Sequence, residues 1–307
     1  MPPHPPPAVT IVIPCYRQEQ YLRESVESAL GQSVPTEVIV VNDGSPGNPA
    51  SVVRGCPVRL IDQPNQGLRG ARNTGLAAAG TEFVIFLDAD DRLLPGAAEA
   101  GLAALARHPD AILAAGRSRL IDEQGAPLQR PDSPPCPGGD HYALLLADNH
   151  IWPPAVVMYR REPLLAAGGW GSGRRRVEDV ELYLLLARSH EFACHAAFVA
   201  EYRIQGEGLS ADAGAMLAAF TAIRREQRAF VAGHPEYLAA FRSGTPKWIE
   251  HYGGRLVDQV RADLRARRLG SAARGFAQLA RDYPAGARAL VAGVARRAVG
   301  GRPGAAT

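Results

Sequence analysis

Lysine is nearly absent: Lys247 is the one lysine among the 34 basic residues of this 307-residue chain. A phosphohydrolase with an Asp-x-Asp pair after an apolar strand normally needs a lysine to neutralise its phosphoaspartate. A P-loop enzyme needs the lysine of Gly-x-x-x-x-Gly-Lys. Lys247 lies in helical C-terminal sequence, well outside the predicted strands, and no Gly-x-Gly-x-x-Gly follows the first strand. These absences exclude both phosphate-handling classes and a dinucleotide-dependent oxidoreductase.

Cysteine is also sparse, and long apolar runs are missing. The four cysteines, Cys15, Cys56, Cys136 and Cys194, show no Cys-x-x-Cys spacing, so we expect neither a zinc site nor a disulfide framework, and a reducing cytoplasm is the expected location. The chain contains no uninterrupted run of 18 apolar residues, so we predict no membrane-spanning helix. Residues 1–7 have neither a charged nor an apolar stretch, so they predict a short disordered lead-in rather than a signal peptide.

Charge is unevenly distributed along the chain. The net charge is +3, yet residues 245–307 carry +8 and the remainder carries −5. From Arg255 to Arg297, arginines alternate with Leu, Val and Ala at helical spacing, which predicts basic amphipathic helices. Such helices can lie peripherally on an anionic membrane at its inner face, or they can pack on the rest of the protein. Both alternatives stay open, and we expect no nucleic-acid partner.

The first ninety residues alternate between strands and helices, which predicts βαβ units and a mostly parallel sheet. An apolar run stopped by Pro14 begins the pattern, and a helix closed by Gly31 follows it. The predicted strands are residues 8–13, 37–41, 58–61 and 83–87, and the predicted helices are residues 19–31 and 65–80.

The second part of the chain predicts a smaller α/β half and then helices alone. Residues 122–140 are rich in Pro, Gly and Asp and predict a mobile loop. Beyond Ala211 the pattern is helical, with breaks expected at Gly233, Gly244, Gly270 and Pro284. The predicted elements of the smaller half are helices at 95–107, 140–147, 163–167 and 180–188, and strands at 111–116, 156–158 and 192–204.

Three carboxylates follow the buried strand Phe83–Leu87. Asp88 and Asp90 are two residues apart, so in extended geometry they point to the same side and repel unless a cation lies between them. Carboxylate oxygens suit Mg²⁺ or Mn²⁺, and such ions often bridge to phosphates. The alternative is a solvated acidic turn that caps a helix beginning near Pro95.

Five segments with chemistry-bearing residues occur in one order along the chain. They are Val12-Ile-Pro14-Cys-Tyr16-Arg, Val40-Val-Asn42-Asp43-Gly44-Ser45, Asn65-Gln-Gly67 with Ala71-Arg72-Asn73-Thr-Gly75, Phe86-Leu-Asp88-Ala-Asp90-Asp91, and Gly168-Gly-Trp170 with Glu178-Asp179-Val-Glu-Leu182. Together they make the chain resemble the family 2 glycosyltransferases over about residues 8–205. The resemblance implies the GT-A fold, an α/β class with a mostly parallel sheet flanked by helices, here followed by an all-helical C-terminal extension.

The resemblance assigns the nucleotide to four residues. Pro14 and Tyr16 lie against the base, with Tyr16 available to stack on it; the alternative for Tyr16 is a packed core position. Asp43 accepts a hydrogen bond from the base, or else serves only an Asx turn before Gly44. Arg72 lies near the base and diphosphate, where its fixed donors suit such acceptors; the alternative is a helix-surface arginine.

The resemblance also assigns the chemistry. Asp88 contacts the ribose or the metal, Asp90 ligates a Mg²⁺ or Mn²⁺ that bridges the diphosphate, and Asp91 is a turn or cap residue. Within the Glu178-Asp179 pair, Asp179 matches the catalytic base, although such a pair also complements a helix dipole. The segment 174–176, three arginines, contacts anionic groups or is solvated.

The chain departs from the family pattern after its last strand. Gln205 stands where many relatives have a histidine that helps hold the metal or diphosphate, so the third protein ligand stays open. His195 is nearby in sequence, but a lone histidine in an apolar strand is more often structural. Trp152 and Trp170 are candidate platforms for a sugar, or core residues.

The implied reaction is inverting, metal-dependent transfer of a sugar from a nucleoside-diphosphate donor, with UDP the expected nucleotide. The acceptor is the hydroxyl of a glycan, lipid-linked or other molecule, in surface polysaccharide or glycoconjugate synthesis. Residues 8–110 form the donor half, 111–210 the acceptor half, and 211–307 a helical region. The alternative is a nucleotide-sugar-binding protein without transferase activity.

Overall fold

An eight-stranded mixed sheet forms the centre of the first part of the chain, in the order β3-β2-β1-β4-β7-β6-β8-β5. The computed structural model describes residues 5–171, 176–205 and 212–300, with residues 293–300 described by their backbone only. The strands are β1 Val9–Cys15, β2 Thr36–Asn42, β3 Arg59–Asp62, β4 Phe83–Phe86, β5 Arg92–Leu93, β6 Ala111–Ile121, β7 Val157–Arg160 and β8 Glu191–Arg203.

The chain divides into two compact units. The first contains the residues up to Leu145 together with Asn149–Gln205, and the second contains Leu146–Asp148 and the residues from Gly206 onward. The helices of the first unit are α1 Glu19–Leu30, α2 Pro49–Val52, α3 Gly67–Ala78, α4 Ala97–Arg107, α5 His141–Ala147, of which Leu146 and Ala147 fall in the second unit, α6 Arg161–Ala166 and α7 Glu178–Leu186. Those of the second are α8 Ala213–Val231, α9 Pro235–Arg265, α10 Leu269–Asp282 and α11 Pro284–Gly300.

The expected α/β fold with a helical C-terminal region is confirmed. Strands β3, β2, β1 and β4 are parallel neighbours, and every residue of β1 is buried, as its apolar run predicts. The other half is mixed, because β7 runs antiparallel to both β4 and β6. Helix α3 lies close on β1: a Cβ at Gly75 would come within 2.2 Å of a Val12 methyl group.

Two predicted element ends are wrong for reasons of packing. Strand β1 does not stop at Pro14, because its pairing with β4 already ends at Val12, and Pro14 pairs only with Val41 of β2. Helix α9 runs through Gly244, where a Cβ would meet the Leu146 carbonyl oxygen at 2.2 Å. That glycine permits a close approach of two backbones rather than ending a helix.

Other differences are local. Gly270 lies inside α10, and the chain breaks instead just after α9, where Arg267 adopts a φ of 56°. The short elements α2 and β5 were not predicted. A disulfide joins Cys136 to Cys194, so the expectation of unpaired cysteines is wrong for this pair, whereas Cys15 and Cys56 are free.

The second unit has an apolar core of its own. Its buried members come from all four helices and include Leu217, Leu256, Val260, Leu279 and Leu290. Over the residues that the structure describes, no helix has the length and apolar character needed to cross a membrane.

Candidate active site

The sheet order brings three of the sequence segments to one edge. Because β2, β1 and β4 are adjacent and parallel, their carboxyl ends present Asp43, Tyr16 and Asp88 on the same side of the fold. Tyr16 is 42% exposed, with the Arg17 guanidinium 5.2 Å from its ring centre. The core alternative for Tyr16 is therefore wrong, and its ring is open to a flat ligand.

Asp43 is buried and holds the segment that leads into α3. Its Oδ1 accepts hydrogen bonds from Gln63 Nε2 at 2.7 Å and from the backbone N–H of Gln66 at 2.8 Å. The Asx-turn role falls to its neighbour Asn42, whose Oδ1 accepts from the Ser45 backbone N–H at 2.9 Å. The predicted bond from Asp43 to a base stays a prediction.

Arg72 lies inside the protein rather than on the surface of its helix. Its side chain is 2% exposed, and Nη2 donates to Asp88 Oδ1 at 2.6 Å. The guanidinium carbon lies 4.2 Å from the centre of the Trp170 ring, which is itself buried against Phe86. The helix-surface alternative for Arg72 and the sugar-platform expectation for Trp170 are therefore both wrong.

The turn after β4 is an interior structure, not a solvated acidic loop. Asp91 is 1% exposed, and its Oδ1 accepts the backbone N–H of Arg203 at 2.9 Å. Arg203, at the end of β8, donates from Nε to the Asp90 carbonyl at 2.7 Å and from Nη2 to Glu24 of α1 at 2.6 Å. Burial first, and then the charges of Asp90 and Asp88, raise the pKa of Asp91 well above its usual range.

Asp90 is partly buried and lies near a second carboxylate, Asp88. Desolvation, and next the charge of Asp88, raise the pKa of Asp90 to about 6. Its Oδ2 accepts from Gln205 Nε2 at 2.5 Å and from Gln18 Nε2 at 3.5 Å. A divalent cation would relieve the repulsion between the two carboxylates, and the hard oxygen donors fit Mg²⁺ or Mn²⁺. Gln205, which stands where many relatives have a histidine, thus donates to the Asp90 carboxylate.

The Glu178-Asp179 pair begins α7, and the charge of Arg72 acts on both carboxylates. The Trp170 backbone N–H donates to Asn73 Oδ1 at 2.9 Å, which ties the Gly-Gly-Trp segment to α3. Glu178 is 7% exposed, and burial raises its pKa to about 7 against the opposing charge of Arg72. Asp179 is half-buried, and desolvation raises its pKa while Arg72 lowers it. One guanidinium thus acts electrostatically on Asp88, Glu178 and Asp179.

Three further predicted positions have mixed outcomes. Residues 174 and 175 of the arginine segment lie outside the described residues, and Arg176 is half-buried. Trp152 is half-buried with its ring centre 6.2 Å from that of Tyr202, so its role as a sugar platform stays a prediction. His195 is half-buried in β8, away from the carboxylates, and desolvation lowers its pKa.

Sequence reasoning missed the part played by Arg203 and Glu24. The one available signal is the Tyr202-Arg203 pair at the end of the last strand. Nothing local to Arg203 indicates that its side chain reaches Asp90, 113 residues earlier in the chain.

Comparison with known proteins identifies the family of the chain. The family model described as glycosyl transferase family 2 matches residues 10–166, just over half of the chain. The chondroitin synthase of Pasteurella multocida is 37% identical over 99 residues, which cover 30% of this chain and 10% of that protein. The chain spans less than two thirds of the first curated relatives it matches, 26% of one and 58% of the next.

Two solved structures share the fold at low sequence identity. Staphylococcus aureus TarS 1-349 in complex with UDP-GlcNAc has a TM-score of 0.56 at 13% identity, covering 86% of this chain and 89% of that one. The mannosyltransferase PcManGT from Pyrobaculum calidifontis, in complex with GDP-Man and Mn²⁺, has a TM-score of 0.59 at 18% identity, covering 95% and 80%.

Proposed function

The chain belongs to glycosyl transferase family 2, and we propose that it is an inverting, metal-dependent enzyme that moves a sugar from a nucleoside-diphosphate donor to an acceptor hydroxyl. The observation that carries the proposal is the buried Arg72, which is ion-paired with Asp88 and acts electrostatically on Asp90 and on the Glu178-Asp179 pair. A nucleotide-sugar-binding protein has no need for a separate carboxylate on the acceptor side, so we favour the enzyme.

The donor half holds the nucleotide in this proposal. Tyr16 is exposed beside the ends of β1 and β2, so its ring is placed to stack on the base, with Pro14 and Asp43 lining the same edge. We propose UDP as the nucleotide. Support for a nucleoside diphosphate comes from two fold relatives, one bound to UDP-GlcNAc and one to GDP-Man.

Asp90 and Asp88 are the residues we propose to hold Mg²⁺ or Mn²⁺. The third protein ligand stays open, because Gln205 turns its Nε2 donor toward Asp90 and an N–H donor does not bind a cation. When bound, the cation supplies positive charge where negative charge develops on the leaving diphosphate. The protein's own part is to fix the two carboxylates. Arg72 donates a hydrogen bond to the Asp88 carboxylate, and Arg203 donates one to the backbone carbonyl of Asp90.

Asp179 is the base that we propose. An inverting displacement needs a carboxylate on the acceptor side, which takes the proton of the attacking hydroxyl as the new bond to the anomeric carbon forms. Asp179 is more exposed than its buried neighbour Glu178 and is therefore the member of the pair that an acceptor can reach. We propose a glycan or glycoconjugate hydroxyl as the acceptor, in surface polysaccharide synthesis, for which the chondroitin synthase relative is the support.

A donor screen tests the transferase proposal. The purified chain is incubated with Mn²⁺ and a panel of UDP- and GDP-sugars, and release of nucleoside diphosphate is measured with and without pooled glycan acceptors. We expect release above the Asp90→Asn background for at least one donor, and a further increase with acceptor. Saturable donor binding without release from any donor would establish the binding-protein alternative instead.

We propose in addition that the helical unit lies peripherally on anionic membrane. An open apolar groove of about 490 Å³ is bounded by α9, α10 and α11, and its rim includes Leu269, 67% exposed, and Phe276, 37% exposed. Exposed arginines adjoin it in sequence, among them Arg261, Arg265 and Arg268. Apolar side chains flanked by cations match the chemistry of an anionic lipid surface, where apolar groups enter the acyl boundary and guanidiniums face the headgroups.

Vesicle sedimentation tests this contact. Truncation near residue 245 would remove part of the core shared by α8 and α9, so point variants are used. We expect salt-sensitive binding to phosphatidylserine vesicles that Leu269→Glu weakens. Leu185→Glu, the control at an exposed leucine of α7, should not weaken it. If the intact chain stays in the supernatant at low salt, the proposed contact is wrong.

A further inference from the structure

Three metal-binding side chains converge outside the carboxylate site. They are Cys136 in the loop before α5, His141 at the start of α5, and Cys194 in β8. One ligand atom from each lies within 4.8 Å of those of the other two, and His141 Nε2 is 3.8 Å from Cys194 Sγ. This is the one such group of His, Cys, Asp or Glu found among the described residues.

The surrounding structure holds these side chains in place. Asp140 accepts from the backbone N–H groups of Tyr142 and Ala143, which fixes the first turn of α5 and with it His141. The His141 ring is 7% exposed and stacks on Phe192 at 5.1 Å. Cys194 lies in a strand that is paired on its β6 side. Two of the three ligands therefore stand on regular elements, and the third is joined to one of them.

The donor set differs in kind from that of the carboxylate site. Two thiolates and an imidazole are the ligands of Zn²⁺, whereas Mg²⁺ and Mn²⁺ prefer oxygen. A cysteine binds a metal as the thiolate, which exists only in the reduced state, whereas a disulfide sulfur is uncharged and is a poor ligand. The disulfide between Cys136 and Cys194 and a bound zinc are therefore alternative states of the same three residues.

We propose that, in the dithiol form, Cys136, His141 and Cys194 bind one Zn²⁺, and that oxidation to the disulfide releases it. The exchange balances with a low-molecular-weight disulfide as the oxidant. The two zinc-bound thiolates become the protein disulfide, the oxidant is reduced to two thiolates, and Zn²⁺ leaves. Either state ties the loop of residues 122–140 to β8, so the loop stays anchored in reducing and oxidising surroundings alike.

The experiment uses the full chain, reduced with a phosphine under nitrogen, freed of metal and titrated with Co²⁺ as a spectroscopic probe for the zinc site. We expect one equivalent to bind with thiolate-to-cobalt absorption, and zinc to displace it. Cys136→Ser and Cys194→Ser should weaken binding at least about 100-fold, and Cys56→Ser, the control at a free cysteine, should not. Oxidised glutathione should release the metal as two protein thiols are lost and two equivalents of reduced glutathione form.

A second pair of variants separates ligation from folding. His141→Phe keeps an aromatic ring on Phe192 but removes the ligand, so cobalt binding should be lost while circular dichroism is retained. His141→Cys replaces the imidazole with a third thiolate and should keep it. Absence of thiolate-to-cobalt absorption in the reduced wild type, with normal circular dichroism, would overturn the proposal and leave Cys136–Cys194 as a structural disulfide only. Nucleoside-diphosphate release is a separate readout, so this failure leaves the transferase proposal untouched.

Discussion

The charges around the candidate site of the α/β unit and the arginines of residues 255–288 in the helical unit lie in opposite surroundings. In the α/β unit the decisive charges are buried and paired: Arg72 is 2% exposed against Asp88, and Arg203 is 1% exposed against Glu24. In the helical unit the arginines of residues 255–288 are exposed, and large apolar side chains such as Leu269 are exposed beside them. Buried charge fixes geometry, because an unpaired ion inside a protein is costly. An exposed charge imposes no such fixed arrangement on its neighbours and is available to attract a partner of opposite charge.

The largest expected effect comes from removing one of the partly buried carboxylates of the α/β unit. Asp90→Asn removes a carboxylate that we propose holds the metal, and several kcal/mol of transition-state stabilisation correspond to a loss of at least about 10³-fold in turnover. Excess chelator should abolish nucleoside-diphosphate release by the wild type, and Mg²⁺ or Mn²⁺ should restore it there but not in the variant. Asp110→Asn, at an exposed position of the same unit, is the control. Full activity in excess chelator would contradict metal dependence.

The acceptor-side carboxylate should show the next largest effect. Asp179→Asn is expected to lower turnover by about 10²–10⁴-fold, the usual contribution of a general base, with donor affinity nearly unchanged because the nucleotide edge is untouched. Initial rates and donor binding are measured separately. Glu178→Gln should be milder. A dead Glu178→Gln beside a nearly normal Asp179→Asn would show that the base is the other member of the pair.

Stability separates buried from exposed arginines within the α/β unit. Arg72→Met leaves Asp88 and Glu178 without their shared cation, and we expect a loss of about 3 kcal/mol in the free energy of unfolding, at the lower end for a buried pair because Asp88 is 25% exposed. Arg23→Met breaks an exposed pair with Glu27, which solvent screens, and should leave the free energy of unfolding nearly unchanged. Urea unfolding measures both. Equal losses would mean that Arg72 is not the electrostatic centre of the site.

The smallest expected effect is a pH dependence. Because burial raises the pKa of Glu178 in the folded state to about 7 from its usual value of 4.5, the folded state binds one proton more than the unfolded state between those two pH values. Ionisation of Glu178 in its buried site therefore lowers the free energy of unfolding as the pH rises from about 4.5 to about 7, and has no such effect below pH 4.5. We expect Glu178→Gln to match the wild type in melting temperature at pH 4 and to exceed it by a few degrees at pH 8. A constant difference across that range would show that Glu178 is not titrating in its buried site.

The sequence alone determined the features that depend on local pattern. Apolar runs of strand length, helical periodicity and the five ordered segments predicted the α/β sheet, its helices and the family. The strand-end position of Asp88 and Asp90 followed from the run that precedes them. Each is readable because the residues concerned are neighbours in the chain.

Only the tertiary structure decided which of these residues are buried and what they contact. Strand β5 pairs with β8, and this pairing carries Arg203 to the turn of Asp90 and Asp91. Arg72 faces inward because α3 lies directly on β1, a contact that Gly75 permits. Cys136 and Cys194 meet across 58 residues without any local spacing motif. Sheet order brings residues together at distances in sequence that periodicity does not encode, so a chain's local pattern determines its elements while their packing determines its charges and ligands.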